Sequence, residues 1–203
     1  RTMSEPALKK FSAEKKRLGD DIDKAQFAIG ELQGQGVDLA DLVGGGNGFG
    51  SGRKGIGLDA RTGKMQERNF GDLGNVKPGN YAKCSYAFID GVFVPAEGKT
   101  KISSTDLKAT GLPANGGKVW DMIRNGPVAS QFSTSWGGVD YNKPGRSMIG
   151  LHANAGITFD LGAIREATGI EEMRFNSIAG YGGRTTTPSA EFRVLLDGKL
   201  MNH

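Results

Sequence analysis

Cysteine and histidine are the scarcest reactive residues of this chain. Its 203 residues include one cysteine, Cys84, and two histidines, His152 and His203. A single cysteine excludes an internal disulfide and a CxxC metal site, and two distant histidines argue against a zinc or catalytic histidine cluster. We expect Cys84 to be a small buried residue, with an intermolecular disulfide or a reactive thiol as the alternatives.

Long apolar runs are also missing. No stretch approaches the roughly 18 consecutive apolar residues that a membrane-spanning helix needs, so the sequence predicts no membrane span. The first residues lack the apolar segment of a signal peptide, and the sequence starts at Arg1. This start fits a processed product and a shortened chain equally well.

Neither sign of charge dominates the chain. Lys and Arg number 26 against 22 Asp and Glu, for a net charge of +4. The short basic runs, Lys9-Lys10 and residues 15–17, lie next to acidic residues. Nucleic-acid-binding proteins gather basic residues on one face and interleave them with aromatics. We therefore predict no nucleic-acid partner.

Catalytic motifs are absent as well. The sequence has no GxSxG or HExxH motif, and its one cysteine has no histidine in a recognisable setting. The acidic pairs Asp20-Asp21 and Glu171-Glu172 are adjacent in sequence, so their side chains point apart and do not form the facing pair of a glycosidase. We predict that the chain is not an enzyme and that any activity belongs to another domain of a parent protein.

Residues 1–36 are predicted to form a long amphipathic helix. Ser4 can cap its start, and Gly34 and Gly36 can end it. Such a helix either packs on the rest of the protein or on a neighbouring domain, or it multimerises as a coiled coil. Apart from Lys15, the a and d positions of its heptads are apolar: Leu8, Phe11, Leu18, Ile22, Ala25, Ile29 and Leu32.

Residues 37–80 are predicted to be a glycine-rich loop region, with the highest glycine density at residues 44–52. The sequence that follows, Arg53-Lys54-Gly55, does not match a phosphate-binding P-loop. Hard cations prefer carboxylate and carbonyl oxygens in a loop that can wrap them, so a structural calcium ion is one prediction; solvated turn residues are the alternative. The candidate ligands are Asp38, Asp41, Asn47 and Asp59.

Residues 81–203 are predicted to form a mainly β module, an antiparallel β-sandwich. Ile157, Phe159 and Leu161 alternate with polar residues at the period of a half-buried strand. Asp90-Gly91 predicts a type I′ hairpin between strands 86–89 and 92–94. Further strands are predicted at residues 101–104, 147–153, 156–160, 172–179 and 190–196, with short helices at residues 118–124 and 163–168.

Several segments of this region resemble a known family. Residues 150–161 (GLHANAGITFDL) and 190–199 (AEFRVLLDGK) are similar to the NPCBM/NEW2 family of carbohydrate-binding modules, and residues 88–95, 102–105 and 138–141 resemble the N-terminal part of such modules. The resemblance implies a galactose-binding-like, jelly-roll sandwich in a larger secreted, periplasmic or cell-surface protein. It also implies noncatalytic binding of a glycan or cell-surface polysaccharide, and structural calcium occurs in many sandwiches of this kind.

Family modules continue beyond the strand that ends in Asp197-Gly198-Lys199, whereas this sequence ends at His203. The resemblance therefore implies that the last strands come from a C-terminal continuation or from another chain, because an open sheet edge invites pairing. The alternative function is a structural or assembly module that binds other protein subunits through the helix and this open edge.

Aromatic side chains with polar neighbours are the candidates for glycan contact. The C–H face of a sugar ring stacks on an aromatic face, while nearby polar groups bind its hydroxyls. Trp136 and Tyr141 flank a Gly-Gly pair in a polar loop, and Tyr181 and Arg184 share a second loop. We predict ligand contact by these four residues; the alternative is that the aromatic rings plug the edge of the core.

Overall fold

The computed structural model describes residues 5–32, 36–67, 72–114, 118–120, 122–183 and 190–201. Three helices and fifteen short strands occur in these ranges. The helices are α1 (Glu5–Leu32), α2 (Leu39–Val43) and α3 (Leu161–Thr168). The strands are β1 (Gly57–Asp59), β2 (Met65–Gln66), β3 (Asp72–Asn75), β4 (Tyr81–Lys83), β5 (Ile89–Phe93), β6 (Gly98–Lys101), β7 (Lys108–Leu112), β8 (Lys118–Trp120), β9 (Met122–Asn125), β10 (Ser135–Trp136), β11 (Val139–Asp140), β12 (Ile149–Gly150), β13 (Gly156–Phe159), β14 (Leu195–Leu196) and β15 (Lys199–Leu200).

The strands form several small sheets. The largest has four strands in the order β12-β9-β1-β2, and the next has three in the order β13-β5-β4. Two-stranded sheets pair β3 with β8, β6 with β7, β10 with β11 and β14 with β15. All of these strand pairs are antiparallel. The predicted mainly β, antiparallel class is therefore confirmed, in the form of small sheets with few helices.

The main hydrophobic core joins the two larger sheets to α2 and α3. Ile123 of β9 and Val92 of β5 are completely buried, and Ile164 of α3 reaches the same cluster. Burying an aliphatic side chain of this size contributes about 1.5–3 kcal/mol relative to exposure. The other buried members are Leu42, Val43, Leu58, Ala60, Cys84, Ile89 and Val94.

The glycine-rich segment contributes directly to this core. Residues 37–80, predicted as a loop region, contain α2 and strands β1 to β3. The α2 helix begins after Asp38, whose side chain accepts hydrogen bonds from the backbone N–H groups of Ala40 and Asp41. Leu42 and Leu58 from this segment are at most 1% exposed. The high glycine content predicted the turns correctly, but it did not predict the short helix and strands between them.

The predicted hairpin at Asp90-Gly91 is wrong, because both residues lie inside β5. The Asp90 carboxylate accepts hydrogen bonds from the hydroxyl of Tyr81 at 2.8 Å and from the backbone N–H of Ser104 at 2.7 Å. These partners on β4 and after β6 hold Asp90 in an extended strand. A side chain that could have capped a turn instead ties β5 to its neighbours.

Two further local predictions are also wrong. Residues 118–124, predicted as a short helix, contain β8 and most of β9. The strand β9 pairs with both β1 and β12, which outweighs the helical spacing of its apolar residues. Residues 172–179, predicted as a strand, have no regular structure. Phe175 and Ile178 in that segment are 53% and 71% exposed, and Met173 packs against the main core without strand pairing.

The helix α1 agrees with the predicted N-terminal helix, and it lies beside α3. Its side chains are described for residues 5–19, 21, 22 and 25. The a and d side chains Leu8, Phe11, Leu18 and Ile22 are all at least half exposed. Among the described residues, no helix has the length and apolar character needed to cross a membrane.

Cys84 provides a test of the core. Its side chain is 4% exposed, and burial raises the pKa of its thiol. Because the thiolate is the reactive form, we expect native protein at pH 8 to react with a disulfide reagent roughly 10- to 100-fold more slowly than protein unfolded in guanidinium. Equal rates in the two states would contradict the burial of Cys84.

Candidate functional site

A tight hairpin presents the first aromatic residue of the site. The strands β10 and β11 pair Trp136 with Val139, and Gly137-Gly138 form the two-residue connection. Both glycines have positive φ, at 57° and 79°. A hairpin loop of this length requires positive φ at its central residues, which glycine adopts without steric cost. The turn thus places Trp136 at the end of a short, projecting ribbon.

Three of the predicted ligand residues meet around this hairpin, and we call Trp136, Tyr141 and Tyr181 the aromatic cluster. The rings of Trp136 and Tyr141 have centroids 5.9 Å apart and planes inclined by 48°. The indole N–H of Trp136 donates to the backbone carbonyl of Tyr181 at 3.4 Å. Tyr181 is 45% exposed, and the other two rings are partly buried. The cluster therefore presents aromatic surface to solvent.

Glycine at position 180 allows the cluster to form. A Cβ atom placed on Gly180 would lie 2.5 Å from Cε2 and Nε1 of Trp136. No real side chain tolerates such a contact without displacing the indole. The backbone before Tyr181 consequently lies directly against the Trp136 ring.

Backbone hydrogen bonds hold the two halves of the cluster together. The N–H of Ser133 donates to the carbonyl of Gly182 at 2.8 Å, and the N–H of Tyr141 donates to the carbonyl of Thr134 at 2.9 Å. The first bond joins the hairpin to the segment that carries Tyr181. The second continues the hairpin ladder past its last strand pair. The aromatic side chains are thus attached to a defined backbone frame.

Polar groups lie beside the rings. Oδ1 of Asp140 accepts hydrogen bonds from the backbone N–H of Asn142 at 3.0 Å and from the hydroxyl of Thr134 at 2.8 Å. The bond from Asn142, followed by that from Thr134, lowers the pKa of the Asp140 carboxyl. Asp140 is therefore an ionised acceptor next to the aromatic cluster at neutral pH.

Sequence reasoning identified the three rings but not the residues that organise them. The Gly137-Gly138 pair is a recognised hairpin signal, and it could have predicted β10 and β11. Gly180 and Asp140 gave no comparable signal, because their roles depend on contacts across the fold. Arg184, the fourth predicted ligand residue, lies outside the described residues.

The four predicted calcium ligands take part in hydrogen bonds and an ion pair within the fold. Both oxygens of Asp41 accept backbone N–H groups, Oδ2 from Gly48 at 2.7 Å and Oδ1 from Gly52 at 2.6 Å. Oδ1 of Asn47 accepts the N–H of Phe49 at 3.0 Å. Oδ1 of Asp38 accepts the two N–H groups at the start of α2.

Asp59 has a different partner. Its carboxylate contacts the Arg61 guanidinium, with Nη2 of Arg61 2.9 Å from Oδ2. Burial opposes ionisation of Asp59, yet the hydrogen bonds and charge of Arg61 hold the pKa of its carboxyl below the usual value. Within the described ranges, no group of three or more His, Cys, Asp or Glu side chains could hold a metal ion. Calcium binding stays a prediction, and this use of the oxygens does not favour it.

Two cavities of about 180 and 220 Å³ flank Tyr86. The hydroxyl of Tyr86 is buried and has no hydrogen-bond partner among the described residues, and burial raises the pKa of Tyr86 to about 12. The described residues that line the cavities include no member of the aromatic cluster. They are Gly45, Gly46, Asn47, Ser51, Tyr86, Ala87 and Phe88 for the smaller cavity, and Lys83, Cys84, Tyr86, Ala87, Ile89, Asp90, Ser104 and Asp160 for the larger.

The close contact at Gly180 can be tested without removing any ring. We expect Gly180→Ala to displace the Trp136 indole and to change the near-ultraviolet circular dichroism, with a loss of about 1–3 kcal/mol in the free energy of unfolding. Gly19→Ala is the control, since a Cβ at Gly19 would meet no atom of the described residues within 4 Å. An unchanged aromatic spectrum in Gly180→Ala would contradict the contact.

The role of Asp41 can be tested by substitution in the same way. We expect Asp41→Ala to lower the free energy of unfolding by about 2–4 kcal/mol, because it leaves the buried N–H of Gly48 and the partly buried N–H of Gly52 without their acceptor. Asp38→Ala, which removes a helix cap, should cost about 1 kcal/mol. Urea unfolding in calcium and in chelator measures both, and the same wild-type midpoint in the two conditions would count against calcium binding. A higher midpoint in calcium that Asp41→Ala abolishes would instead establish Asp41 as a calcium ligand.

Comparison of the chain with known proteins found no match. No known protein family, curated protein or solved structure matches the chain significantly. The resemblance to NPCBM/NEW2 modules therefore remains a prediction.

Proposed function

We propose that the chain is a noncatalytic carbohydrate-binding or adhesion module whose aromatic cluster contacts a glycan or cell-surface polysaccharide. The observation that carries the proposal is the aromatic pair of Trp136 and Tyr141, whose ring centroids lie 5.9 Å apart beside the backbone of the exposed residue Tyr181. Apolar ring faces exposed to water are costly, and the C–H face of a sugar ring covers such faces well. The rings stand on a hairpin and a neighbouring segment, so a long polysaccharide can cross them.

Hydroxyl recognition in this proposal falls to the polar side chains near the rings. Thr134 and Asn142 both donate to Oδ1 of Asp140. Oδ2 of Asp140 then accepts from a sugar hydroxyl, and an ionised acceptor gives a stronger hydrogen bond than a neutral one.

The fold and setting in this proposal follow the resemblance to NPCBM/NEW2 modules. The small antiparallel sheets of residues 81–203 belong, in this proposal, to a galactose-binding-like sandwich. The module belongs to a larger secreted, periplasmic or cell-surface protein. Support comes from the antiparallel pairing of β13 with β5, which joins two of the segments that carry the resemblance.

A second candidate function is assembly with other protein chains. Four large apolar side chains of α1 are at least half exposed. Exposed apolar side chains gathered on one face are typical of protein interaction sites. This function uses a different part of the chain from the aromatic cluster, so the two functions can be tested separately.

Glycan binding is tested with an array of polysaccharides, followed by calorimetric titration of each ligand that binds. We expect Trp136→Ala to weaken binding by about 2 kcal/mol, or roughly 30-fold in Kd, because it removes a central aromatic contact. Phe175→Ala is the matched control, since Phe175 is an exposed aromatic residue outside the cluster. Equal losses in both variants, or no binding to any polysaccharide, would count against the proposal.

A further inference from the structure

An apolar stripe runs along the exposed side of α1, and we define it as Leu8, Phe11, Leu18 and Ile22. These side chains are 52%, 62%, 50% and 58% exposed. Their spacing places them at a and d positions of successive heptads, on one side of the helix. The neighbouring helix α3 leaves all four uncovered. A stripe of this kind is suited to packing against another helix.

Charge is divided unevenly along the same helix. Residues 5–18 contain five Lys or Arg and two Glu, for a net charge of +3. Residues 19–32 contain one Lys and four Asp or Glu, for a net charge of −3. The helix therefore has a basic N-terminal half and an acidic C-terminal half of equal and opposite charge. Its best electrostatic complement is a helix with the same distribution running in the opposite direction.

We propose that α1 pairs with α1 of a second copy of this chain in an antiparallel coiled coil. This proposal rests on the second candidate function and names its partner. Antiparallel pairing sets the basic half of each helix against the acidic half of the other. It also covers the apolar stripe along its whole length, since α1 has 28 residues, a span of about 42 Å.

Among the registers in which a positions of each helix face d positions of the other, one pairs all eight a and d positions. In this register Leu18 faces Ile22 of the second copy, and Lys15 faces Ala25. Alanine is the smallest residue at any d position of α1, so the Lys15 stem has room to lie across it and extend its ammonium group to solvent. By sequence, Leu8 faces Leu32 and Phe11 faces Ile29.

Parallel pairing conflicts with the same residues. It would put Lys15 directly opposite Lys15 of the second copy at an a position, where two buried ammonium groups repel each other. It would also align the two basic halves and the two acidic halves. Like charges in register are destabilising, so the charge distribution selects the antiparallel arrangement.

Self-pairing through the apolar stripe would affect glycan binding by the aromatic cluster. A dimer carries two aromatic clusters, and simultaneous contact with one polysaccharide raises the effective affinity without any new contact at either site. The coupling acts through avidity, so it leaves the intrinsic affinity of each cluster unchanged.

The first test is the mass of the native chain in solution, measured by light scattering at tens of micromolar concentration. We expect twice the chain mass for wild type and a shift to the single-chain mass for Leu18→Asp. Ala13→Asp is the matched control, because it adds the same charge to the same half of α1 at the exposed f position. It should remain a dimer. A wild-type monomer, or a Leu18→Asp variant that stays dimeric, overturns the proposal.

The second test fixes the orientation by disulfide cross-linking. A disulfide requires Cα atoms within about 7 Å. In the antiparallel register, the double variant Lys15→Cys/Ala25→Cys should oxidise to a covalent dimer, whereas each single variant should not. Parallel pairing predicts the reverse for the single variants, since each position then faces itself, and their cross-linking would overturn the proposal. Wild type, which retains only the buried Cys84, is the control for other disulfides.

The outcomes also distinguish failure of self-pairing from failure of the assembly function. A chain that is monomeric alone but binds a different protein through the apolar stripe, with binding lost in Leu18→Asp, would keep the assembly function and overturn self-pairing. Loss of dimerisation in Leu18→Asp with unchanged affinity for a monovalent oligosaccharide would support two independent surfaces.

Discussion

The carboxylate of Asp41 is the interaction on which the glycine-rich part of the fold depends. Its two oxygens accept backbone N–H groups from Gly48 and Gly52 at 2.7 and 2.6 Å, and it is 4% exposed. A buried N–H without an acceptor is costly, so this one side chain allows the turn at residues 44–52 to fold back against α2. With the turn in place, Leu42 joins Leu58 and Ile123 in the main core.

The aromatic cluster also depends on close contacts of the backbone, in a more exposed part of the protein. Trp136 stands on a hairpin, and the segment before Tyr181 approaches its ring because position 180 has no side chain. Hydrogen bonds between backbone groups, including that from Ser133 to Gly182, hold the two segments in contact. Short elements can thus form a binding surface when their backbones approach closely, even without the long hydrogen-bond ladders of a large sheet. The stripe on α1 lies on a separate element, which allows recognition and assembly to vary independently.

Local sequence patterns predicted helices and strands well where a segment fitted only one kind of structure. The long heptad pattern predicted α1, and Asp160 with Gly169 now cap α3 close to the predicted helix at residues 163–168. Patterns that fit two structures were decided by partners elsewhere in the chain. Asp90-Gly91 is a good turn signal, yet Tyr81 and Ser104 hold Asp90 in a strand. Residues 172–175 alternate as a strand should, but Phe175 stays exposed while Met173 packs against the main core, and no neighbouring strand pairs with them.

The sequence by itself determined the mainly β class, the N-terminal helix with its divided charge and the choice of aromatic residues for the candidate site. These features follow from composition and from periodicities of two and of three to four residues, which neighbouring residues establish. Only the tertiary structure decided that Trp136, Tyr141 and Tyr181 meet, that Asp41 serves the backbone, and that the glycine-rich segment enters the core. Each of these depends on contacts between residues far apart in sequence, and such contacts form only when the whole chain satisfies its buried hydrogen bonds and packing together.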